Sequence, residues 1–141
     1  MRDKSNFKKI IVDGNEYAIV INGNDLPEGV KFYTDDDKFL QVATWKHNKG
    51  HEMKPHSHKV WERISNRVHE FIYVIRGSIE VTLYNEDEKV IAKETLNRGT
   101  AILIFNAGHK YRMLEDNTEA IEVKNGPYPG MEKDKKEIHD D

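Results

Sequence analysis

The chain is cut into short runs by turn residues, and this punctuation constrains the fold more than any other feature. Asp13-Gly14-Asn15 separates Lys8–Val12 from Glu16–Ile21, a spacing that predicts a β-hairpin. Asn85-Glu86-Asp87-Glu88 ends Ser78–Tyr84, and Asn97-Arg98-Gly99 and Asn106-Ala107-Gly108 bracket the continuous apolar run Ala101–Phe105. Gly, Asn and Asp recur at such points because they reach turn conformations at little cost. Between the turns the period is two: Ile79, Val81 and Leu83 share one face of their run. The same signals predict strands over Phe39–His47, Glu70–Ile75, Lys89–Thr95, His109–Leu114 and Thr118–Lys124. Residues 22–29 and Asp35-Asp36-Asp37 read as loop, and the Asp run lacks the spaced carboxylates of a calcium loop. No stretch of helical length carries a convincing 3.6-residue period. About ten short strands between turns define an all-β protein, a sandwich or barrel, mostly antiparallel and with little helix.

A chain of 141 residues builds one core. Without cysteine it has no disulfide, zinc ribbon or thiol nucleophile. No apolar run approaches the roughly 18 residues of a membrane span, and Ile10–Val12 is too short for a signal peptide. The expectation is a soluble, cytoplasmic protein with no membrane partner. A net charge of −3, with 33% charged residues of both signs, gives none of the basic bias expected of a nucleic-acid partner. From Gly126 onward the sequence is rich in charge and opens with Pro127 and Pro129. The domain is therefore drawn over residues 1–125 and residues 126–141 as a charged tail, mobile or wrapped on the surface.

Chemistry concentrates between Gly50 and Gly77. His56 and His58 lie two apart after Pro55, so on an extended strand both imidazoles share a face, about 6.5–7 Å apart. Rings so placed can converge on one metal ion. Glu70 opens the next strand, and His109 follows the apolar run Ala101–Phe105. The expectation is a three-His, one-carboxylate metal site inside a small β-barrel.

The spacing around these residues resembles the motifs of the cupin superfamily. The first reads Gly-x5-His-x-His-x(3–4)-Glu-x6-Gly, and Gly50, His56, His58, Glu70 and Gly77 fall on it. The second is approximated by Gly99 and His109, with Phe105 where Pro is usual. The resemblance covers residues 39–124 and implies a single jelly-roll barrel. It also implies one divalent metal per chain, held by His56, His58, Glu70 and His109. The chain departs from the motif in the loop Lys59–His69, eleven residues long rather than three or four. Glu62 keeps the motif's distance from His58, whereas Glu70 keeps the Glu-x6-Gly distance and is the preferred ligand. Imidazole with carboxylate suits Zn, Fe, Ni or Mn without choosing among them.

Lys54 shares strand parity with the two histidines, and Tyr111 with His109. These two, with Arg63 from the enlarged loop, are the candidate catalytic residues. His69 should face away from Glu70. Among cupins these features accompany metal-dependent enzymes on small polar molecules, sugars or organic acids, of isomerase, epimerase, lyase or dioxygenase type, some in carbohydrate metabolism. The alternative is a non-catalytic small-molecule or metal-binding regulatory module. Unpaired edge strands predict a homodimer, with Lys8–Val12 and Glu16–Ile21 as the contact.

Overall fold

The computed structural model describes residues 5–139. Ten strands follow in order: β1 Phe7–Val12, β2 Asn15–Asn22, β3 Gly29–Phe32, β4 Ala43–Lys46, β5 His69–Arg76, β6 Ser78–Tyr84, β7 Val90–Asn97, β8 Thr100–Phe105, β9 Gly108–Met113 and β10 Glu119–Lys124. One helical turn, α1 Met131–Asp134, comes after them. The protein is all-β, and every strand pairing is antiparallel. The sheets run β1-β2-β8-β5-β10, β7-β6-β9 and β3-β4.

Alternation along the strands explains the layering. Ile72 and Val74 of β5 and Ile102 and Ile104 of β8 point from the five-stranded sheet onto Ile79, Val81 and Leu83 of β6 and Leu96 of β7. The opposite face of β2 and β8 carries Ile19, Ile21, Leu103 and Phe105, covered by Tyr33, Leu40 and Val42. β8 is thus buried on both faces, which is why Ala101–Phe105 is apolar without alternation. Burying a Leu or Ile side chain of this kind contributes about 2 kcal/mol. Gly77, at φ +79°, turns β5 into β6, and a Cβ there would collide with Thr118.

The expected barrel is not closed. Among the described residues β7 and β9 end one sheet and β1 and β10 the other, with no ladder joining them. The strand expected over Phe39–His47 shortens to Ala43–Lys46, because residues 33–42 are used to cover the outer core, and β3 forms between the two stretches that read as loop, where the sequence predicts no strand. The larger difference concerns residues 47–68, which form neither strand nor helix. His56 and His58 therefore do not share a strand face. Pro55 removes a backbone donor, and the apolar residues Val60, Trp61 and Ile64 do not alternate, so this segment has no face that a sheet could bury. All three stand exposed, Trp61 at 75%. We call residues 47–68 the arm.

Candidate functional site

The site follows from register. On β5 the inward row is Glu70, Ile72 and Val74, so Glu70 occupies a core position at the strand's start. Opposite it, the pairs Leu83↔His109 and Val81↔Tyr111 put His109 and Tyr111 on the core-facing side of β9. The pairs Glu70↔Lys124 and Ile72↔Glu122 place Lys124 and Glu122 beside Glu70 on the same face of β10. Two sheets thus bring five polar side chains to one end of an apolar core.

The Glu70 carboxylate, 9% exposed, meets His109 Nε2 at 2.9 Å. His109 Nδ1 lies 3.1 Å from the Ala107 carbonyl. Both ring nitrogens face acceptors, so the ring is satisfied only when both carry protons, as imidazolium. Burial alone would lower the His109 pKa. The hydrogen bond to Glu70 and its charge, the Ala107 contact and Glu122 outweigh it, and the pKa is raised above 6.5. Burial likewise pushes Glu70 up, but its hydrogen bonds with His109 and Glu122, and the charges of His109 and Lys124, hold it at about 2. Glu122 is pushed up, chiefly by its hydrogen bond to Glu70, then by burial. Glu122 also meets Lys124 Nζ at 3.6 Å.

The Tyr111 ring stands 5.1 Å from that of His109. Its hydroxyl is buried without a hydrogen bond of ordinary geometry. Burial, then the Glu70 charge, pushes its pKa up, so it stays a neutral donor. These groups line an open groove of about 1420 Å³, bounded on one side by Glu70, His109, Tyr111 and Glu122 and on the other by residues 126–138.

The other candidates lie apart from this cluster. His56 and His58 sit in the exposed arm with their rings 5.3 Å apart, and His56 Nδ1 contacts the Lys54 carbonyl at 3.0 Å. Lys54 and Glu62 are exposed in the same arm. Arg63 is exposed too and donates to the Trp61 carbonyl. His69 faces away from Glu70, accepting from the Leu40 N–H at 3.2 Å and packing on Phe105. Among the described residues no group of three or more His, Asp or Glu side chains could hold a metal ion. Glu70 and His109 supply two donors already committed to each other, so the arrangement as it stands does not fit a metal. Glu122 and Lys124 are part of the cluster that sequence reasoning missed. Only the β5–β10 register, set by distant pairing, puts them beside Glu70.

The fold and the site define an antiparallel all-β protein with a buried carboxylate, Glu70, against a half-buried imidazole, His109, at the mouth of a groove. Comparison of the chain with protein-family models, curated proteins and solved structures finds no match. Among the described residues no helix is long and apolar enough to cross a membrane.

Proposed function

We propose that the chain is an enzyme that binds a small polar molecule in the groove and moves a proton on it through Glu70 and His109. The observation that carries this reading is the buried pair itself. A carboxylate and an imidazolium desolvated together cost free energy that an apolar pair would not, and they open onto space large enough for a sugar or organic acid. A ligand oxygen entering between the two would displace Glu70 from His109 Nε2 and accept that proton, while the Glu70 charge beside it stabilises the imidazolium until transfer. The Tyr111 hydroxyl would donate to a second oxygen. The test is a saturation-transfer NMR screen of free hexoses, pentoses and hydroxy acids against the whole protein. Binders should be found, and Glu70→Gln should lose them. Binders that persist unchanged in Glu70→Gln would refute the site.

A metal-binding version of the same function has its own support. β9, which carries His109, has a free edge among the described residues. The arm, which joins no sheet among the described residues, could add a strand there and bring His56 and His58 alongside His109. A zinc titration of the full chain tests this, since His56→Ala with His58→Ala should abolish binding that depends on closure. We also propose a homodimer through the unpaired edge of β1. Light scattering at micromolar concentration should give twice 16.5 kDa, and a monomer would exclude it.

A further inference from the structure

Residues 126–139 leave the end of β10 and form the wall of the groove opposite Glu70 and His109. The segment is anchored towards its two ends. Near its start, Tyr128 lies under Lys124 Nζ, 5.4 Å from the ring centroid. Near its end, Lys136 Nζ meets Glu88 Oε1 at 3.5 Å. There too, Ile138 rests on Gly108, where a Cβ at position 108 would collide with it. α1, between the anchors, buries none of its residues. The Ile138 seat is therefore next in sequence to His109, on a residue whose missing side chain makes room for it. A segment fixed at its ends and unburied in its middle can lift as a unit.

We propose that residues 126–139 are a displaceable strap. Release of Ile138 from Gly108 widens the groove beside Glu70 and His109, and the strap closes again over a bound ligand. This rests on the groove being the ligand site, but strap movement is measurable without any ligand. The chain has no cysteine, so Glu88→Cys with Lys136→Cys can be joined by a bismaleimide whose spacer contains a reducible disulfide. The probe is diethyl pyrocarbonate, with modification of His109 followed by peptide mass spectrometry and His47 in the exposed arm as internal reference. Bridged protein should modify His109 about fivefold more slowly, relative to His47, than the same protein after the spacer is reduced. Ile138→Glu, which puts a charge where the apolar seat is, should react faster than the parent chain. Equal His109-to-His47 ratios in bridged and reduced protein would overturn the strap. Loss of the proposed function appears elsewhere, in the NMR screen, and leaves these ratios unchanged.

Discussion

Glu70→Gln should be the most informative single substitution. It keeps the side chain's shape and removes its charge. The Glu70 carboxyl falls from an ordinary 4.5 to about 2. At 1.36 kcal/mol per pH unit this depression corresponds to about 3 kcal/mol of folded-state stabilisation of the ionised form. Its sign fixes the window. The pKa of Glu70 is lowered by folding, so its contribution is present above 4.5 and fades as pH falls towards 2. The pKa of His109 is raised, so its contribution is complete below 6.5 and is lost as pH rises through the raised value. Both are in force near pH 5.5. Urea unfolding there, with chelator present, should show Glu70→Gln less stable by about 2–3 kcal/mol, a midpoint lower by roughly 1–2 M. The gap should narrow at higher pH, once the parent His109 gives up its proton. A gap under about 0.5 kcal/mol at pH 5.5, or one that does not change with pH, would refute the ion pair.

Other substitutions test the scaffold around the pair. His56→Ala with His58→Ala should leave the unfolding free energy of the metal-free protein, from urea titration, within about 0.5 kcal/mol of the parent, since both rings are exposed. Gly77→Ala should cost more than about 1 kcal/mol by thermal unfolding, because Ala there meets both a positive φ and Thr118. Leu103→Ala, at a fully buried position on β8, should cost about 2–5 kcal/mol on the same assay.

How far the sequence reaches differs between scaffold and site. Ser78–Tyr84 is a strand in both, since its alternation and flanking turns are local signals. Glu70 is legible as a strand-opening carboxylate and His109 as the residue after an apolar strand, and the structure brings these two together. Glu122 is not legible in this way, because its place beside Glu70 exists only once β10 pairs with β5. The arm fails differently. His56-x-His58 has a strand's spacing, but spacing says nothing about whether a neighbouring strand is there to pair with it. Residues 39–42 depart for a related reason, since covering β8 from outside is a demand set by tertiary packing and not by local propensity.

The proposed site depends on His109 being held as an imidazolium by Glu70 where a ligand binds. The most direct measurement is a long-range proton–nitrogen NMR spectrum of its ring during a pH titration, repeated with a binder from the sugar and hydroxy-acid screen. Both ring nitrogens should remain protonated past pH 6.5, and the His109 signals should be among those that move most when the binder is added. A ring that is neutral at pH 6, or one that stays still while the binder shifts resonances elsewhere, would contradict the account.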